Sequence, residues 1–208
     1  MDKDFKIVKF EQFIDNIFKN LKVSQNSSIY STAASSNMSS IFSKINTIID
    51  CIGSFENIGS MPLYGLIYIY NYNKLNNYGK FIMSHEFIYL LSIPSNFDKY
   101  IQLNDNLEKD PNMKYKGFKS FIEIFREKNE YHFKFIFWAL MILTVDKTDA
   151  EEHLSLICDI AKILNITDDE MKDISYIIKM VYNKEHSNYQ IKSERVKETF
   201  YGVLNMFK

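Results

Sequence analysis

The chain has 208 residues, 46% apolar and 25% charged, with six Gly and three Pro, which describes one soluble domain and excludes a tail, a fibre or a repeat array. Its 25 Lys plus Arg against 26 Asp plus Glu exclude the basic surplus of a general nucleic-acid binder, and only Arg126 and Arg195 offer the planar fork used on phosphate or guanine. Two cysteines, Cys51 and Cys158, argue against a disulfide framework and read as reduced thiols.

The start, MDKDFKIVKF, carries charges where a secretory signal needs an apolar core, so the cytoplasm is the expected location. Phe10, Phe13, Ile14, Ile17, Phe18 and Leu21 then repeat at three and four residues and predict a helix over about 4–22. Residues 24–43 hold nine Ser and no charge. Serine competes with helix by bonding its own backbone, and 24–36 reads as a loop. Met38, Ile41, Phe42, Ile45, Ile48, Ile49 and Ile52 resume the helical period, with Gly53 as a stop.

Residues 61–93 are ambiguous. MPLYGLIYIYNYN alternates Leu66, Tyr68, Tyr70 and Tyr72 like a strand, yet spaces Leu63, Ile67 and Tyr70 like a helix. A lone strand has no evident pairing partner elsewhere, so helix is the better reading. The tyrosines of 64–78 read first as core, and otherwise as a contact patch for a protein or a membrane surface, with only Lys74 to attract anionic lipid. KFIMSHEFIYLLSIP is helical in spacing and stops at Pro94. The polar segment LNDNLEKDPNMK, near 104–113, reads as a bend or lobe junction.

Phe118, Phe121, Ile122 and Phe125 mark an amphipathic helix, followed by a buried one over about 131–145. Its apolar run FIFWALMILTV has 11 residues, against about 20 needed to span a bilayer. Thr148 with Glu151, and Thr167 with Glu170, both fit the capping box, the second with Ile166 and Met171 placed as a staple. Leu154, Ile157, Ala161 and Leu164 stripe one helix and Met171, Ile174, Ile178 and Val181 the next, an expected antiparallel hairpin. Val196, Phe200, Val203, Leu204 and Phe207 predict a last helix over about 193–207. The sum is an all-α bundle of about eight to ten helices in a single domain, 1–208.

No catalytic signature is present: no glycine-rich phosphate loop, no GxGxxG, no GxSxG, no zinc-protease or CxxC spacing. The reading is of a non-enzymatic protein without cofactor. One constellation stands out, nine acids against three lysines over 146–173. Helix geometry sends Glu152 and Asp159 away from the apolar stripe, and with Asp169 and Asp173 they form the expected partner-binding set. Acids near helix starts also complement the helix dipole, which explains part of the clustering without a partner.

The same stretch, TVDKTDAEEHLSLICDIAKILNITDDEMKDI within about 135–182, resembles the TerB-like helical domains, in which an apolar helix leads through a turn into an acid-rich helix start. The resemblance matches Asp146 to the family's turn aspartate, while Lys147 stands where the family usually has Gly. It implies an alternative function, a stress or signalling module binding a divalent ion through Asp146, Asp149 and His153. The preferred expectation is a bacterial immunity-type inhibitor whose acidic helices cover the basic cleft of a toxin, such as a nuclease. The expected partner is thus a basic protein, with no direct nucleic-acid or membrane contact.

Overall fold

A computed structural model describes residues 48, 51, 61–76, 79–80, 83, 97–146, 148–183 and 189–206. Among them the chain is all-α and contains no strand. Eight α-helices are described: α1 (Met61–Ile69), α2 (Phe97–Lys109), α3 (Pro111–Phe125), α4 (Asn129–Val145), α5 (Ala150–Ile163), α6 (Asp168–Asn183), α7 (Glu194–Thr199) and α8 (Tyr201–Asn205). The helix expected over 4–22, the serine loop at 24–36 and most of the helices expected over 38–52 and 80–93 lie outside the described residues.

By its internal contacts the chain groups into two compact units, Gly53–Met171 and Met1–Ile52 with Lys172–Lys208. The polar segment near 104–113 is interior to the first unit. Its polar groups hold the turn after α1: Asn104 Oδ1 accepts from the Tyr72 amide at 3.3 Å, Glu108 accepts from Asn71 at 3.0 Å, and Asp105 accepts from Asn73 at 2.6 Å. Asp110 then caps α3 by accepting from the amides of Asn112 and Met113, with Pro111 in the first turn, where a missing N–H costs nothing.

The larger unit is built around α4, which is buried from Tyr131 to Leu143 apart from Lys134. α1 packs on α3, α4 and α5. It is buried at Pro62, Leu63, Gly65, Leu66, Ile67 and Ile69, on nearly all sides, which is why its apolar spacing shows no clean period. The helical reading of this segment holds, and the alternation from Leu66 to Tyr72 is incidental. Gly65 is required by close approach, since an added Cβ would lie 2.7–2.8 Å from the Phe135 and Phe121 rings. Phe121 lies 4.4 Å from Phe125 and 4.7 Å from Phe135 between ring centroids, and Tyr68 stacks on Phe118 at 3.8 Å. The aromatic segment is therefore core at Tyr70 and Tyr72 and half-buried at Tyr64 and Tyr68; Tyr78 lies outside the described residues.

In the smaller unit the single helix expected over 193–207 is two short ones. Ser193 caps α7 by accepting from the Val196 amide at 3.3 Å. Phe200 leaves helical dihedrals (φ −106, ψ 18) while its side chain, with Val196 and Val203, stays fully buried. The apolar stripe was legible; the break was not, because Phe200 keeps helical hydrogen bonds to Val196 and Leu204 on either side of it.

Candidate functional site

The connection from α5 to α6 is fixed by local chemistry. Asn165 sits in the left-handed region (φ 57), its amide reaching the Lys162 carbonyl at 3.1 Å while the Ile166 amide reaches Ala161 at 2.9 Å. This is the paired-bond helix ending that a left-handed residue permits. Thr167 and Glu170 then close a reciprocal capping box: the Glu170 amide donates to Thr167 Oγ1 at 3.2 Å, and the Thr167 amide donates to Glu170 Oε2 at 2.9 Å. Ile166 and Met171 are both buried, as the staple requires.

The start of α5 is different. Thr148 is not its cap; the Thr148 amide donates to Asp146 Oδ1 at 2.9 Å, the chain reverses through Asp149 (φ 52), and the helix begins at Ala150 without a side-chain cap bond. Asp146 is fully buried and also accepts from the Asn76 amide. Asn76 in turn donates through Nδ2 to the Val145 carbonyl at 2.7 Å and accepts from the Gly79 amide at 2.9 Å. The turn aspartate thus ties Asn76, and through it Gly79, to the α4–α5 turn.

His153 lies one turn into α5, half-buried, with its ring edge-on to Tyr70 (centroids 4.6 Å, 63°) and its Nδ1 without a hydrogen-bond partner. Burial lowers its pKa from 6.5, against the opposing pull of the Asp149, Glu152 and Asp146 carboxylates. Tyr70 donates its hydroxyl to the Ala139 carbonyl at 2.7 Å, and burial, then Asp146, raises its phenol well above the ordinary range. Asp146, Asp149 and His153 do not converge as ligands: Asp146 is enclosed and occupied by amides, Asp149 is exposed, and His153 faces Tyr70. Among the described residues no group of three or more His, Cys, Asp or Glu is arranged to hold a metal ion.

Of the four acids expected to meet a partner, Glu152, Asp159 and Asp169 are exposed, Asp159 in an ion pair with Lys162 at 3.0 Å that raises the lysine's pKa. Asp173 is a correction. It is fully buried, its carboxylate accepting from the Tyr189 hydroxyl at 2.7 Å, the Lys192 amide at 3.0 Å and the Ser193 amide at 2.8 Å. The helix wheel put Asp173 off the apolar stripe of α6, but residues 189–193 return over that side, with the Tyr189 ring 4.6 Å from Tyr176. No local pattern announces a segment arriving sixteen residues later.

The exposed acids of the larger unit are therefore grouped at two helix starts: Asp149, Glu151 and Glu152 on α5, Asp168 and Asp169 on α6. Such an arrangement can attract cations or basic side chains; it offers no nucleophile and base in hydrogen-bond contact. No helix among the described residues is long and apolar enough to cross a membrane. No protein-family model, curated protein or solved structure matches the chain.

Proposed function

We propose that this chain is a non-enzymatic protein-binding domain that takes a basic partner on the acidic starts of α5 and α6, most concretely an immunity-type inhibitor that covers the cationic cleft of a bacterial toxin domain. The observation that carries the reading is the exposure of Asp168 and Asp169 at the start of α6, held by its own turn and capping box, with Asp149, Glu151 and Glu152 exposed at the start of α5, one helix length of about 20 Å away. A fixed array of like charges steers an oppositely charged cleft and keeps its geometry on docking, so less ordering is lost.

The test searches the sequence directly upstream of this chain's gene for a toxin and uses its C-terminal domain as the probe; finding no such gene would overturn the inhibitor reading. Glu151, Glu152, Asp159 and Asp169 are reversed to Lys together; Asp173 and Glu170 are left alone because both are buried acceptors. The variant is expected to associate more slowly and to lose most of the salt dependence of its on-rate, with circular dichroism unchanged. Wild-type association across a salt series would overturn the acidic face as the docking site. Absence of any complex with the wild-type chain would overturn the inhibitor reading itself.

A further inference from the structure

Two large apolar side chains stand in solvent on one flank of α3, Met113 at 52% and Ile124 at 38% exposure, while Tyr115, at 61%, is on the opposite flank. A helix turns about 100° per residue, so Met113, Gly117, Ser120 and Ile124, at spacings of four, three and four, lie along one stripe. Tyr64 of α1 lays its half-buried ring over Gly117, where an added Cβ would stand 2.6 Å from it, so the stripe continues as an aromatic surface between Met113 and Ser120. Exposed Lys116 and Glu123, one heptad apart, flank the stripe on its solvent side.

This pattern is symmetric about a point between residues 118 and 119. A second α3 laid antiparallel across a twofold axis at that point places Met113 level with the partner's Ile124 at both ends, and Lys116 within about 3 Å along the axis of the partner's Glu123. In an antiparallel pair the same flank of each helix meets its counterpart, so two Lys–Glu pairs form and no like charges meet. A parallel pair would carry the two flanks to opposite sides of the seam, so Lys116 and Glu123 would not meet their counterparts at all. The stripe with its flank is neutral, so it is suited neither to a basic nor to an acidic partner; its complement is itself.

We propose that α3 is a self-association face, through which two copies of this chain pair antiparallel about a twofold axis between residues 118 and 119. Exposed ion pairs contribute little individually, so the dimer is reversible and concentration-dependent. Sedimentation velocity of the full chain across the micromolar range tests it. Wild type is expected to pass from monomer to dimer; Lys116→Glu and Glu123→Lys are each expected to weaken the dimer by about tenfold, because each puts like charges opposite at two places.

The double variant Lys116→Glu/Glu123→Lys restores opposite charges and is expected to recover wild-type association. An equimolar mixture of the two single variants is expected to associate more tightly than either alone, since every flank contact is then between opposite charges. Both positions are exposed, and circular dichroism of each variant verifies that the helix content is retained. A wild-type chain that sediments as monomer throughout, or a double variant no tighter than the singles, would overturn the proposal.

Discussion

The starts of α5 and α6 carry the same pattern, a threonine followed three residues later by a glutamate, and only the second closes as a capping box. At Thr167 the preceding Asn165 ends one helix in the left-handed region and leaves the threonine amide for Glu170. At Thr148 another carboxylate stands two residues upstream: the buried Asp146 takes the threonine amide, and the helix begins only at Ala150. Both acceptors are carboxylates, so charge does not choose between them; Asp146 is buried and held by the Asn76 amide whereas Glu151 is exposed, and the pattern closes only where no second, fixed carboxylate takes the amide. The comparison also shows where fixation comes from, local capping in one case and a tertiary tie to Asn76 in the other.

The largest test of that contrast removes the competing carboxylate. Asp146→Ala leaves the part-buried amides of Asn76 and Thr148 without their acceptor and is expected to cost about 2 kcal/mol, read as a lowered urea midpoint. If Asp146→Ala changes the midpoint no more than a surface substitution does, the carboxylate is not what sets the α5 start. Asp173→Ala, which strands the Lys192 and Ser193 amides and the Tyr189 hydroxyl, is expected to have a similar effect, with amide exchange rising first at 189–200.

Next in size are the caps themselves. Thr167→Ala and Glu170→Ala are each expected to lower stability by about 1 kcal/mol, because each undoes a bond of the reciprocal box. Thr148→Ala and Glu151→Ala are expected to stay within about 0.5 kcal/mol, since neither side chain caps α5. Equal costs at the two starts, measured by denaturant titration, would erase the distinction drawn between them.

The smallest effect concerns pH and His153. Its folded pKa lies below the unfolded value near 6.5, so the folded state favours the neutral ring. Its contribution is fully present above 6.5 and declines as pH falls toward the folded pKa, because the unfolded chain takes up the proton first. His153→Asn is expected to flatten the part of the stability profile just below that pH relative to wild type. A profile with the same slope in both proteins would show that the ring against Tyr70 is not the titrating element.

Much of this molecule is written in short-range spacing. The helical class, the buried α4, the stripes of α5 and α6, the Ile166–Thr167–Glu170–Met171 start and the exposure of Glu152, Asp159 and Asp169 all depend on residues within a few turns of one another, and a helix expresses such spacing directly. Tertiary structure decided the rest. It buried Asp173 beneath a segment that arrives from 189–193, made Asp146, a ligand candidate by resemblance, an acceptor for the amides of residues 76 and 148, and set the His153 ring against Tyr70. It also kept the polar 104–113 stretch inside one compact unit. The physical reason is common to these cases: a polar side chain is buried when distant backbone amides need an acceptor, and where those amides lie is settled by packing, which local periodicity does not encode.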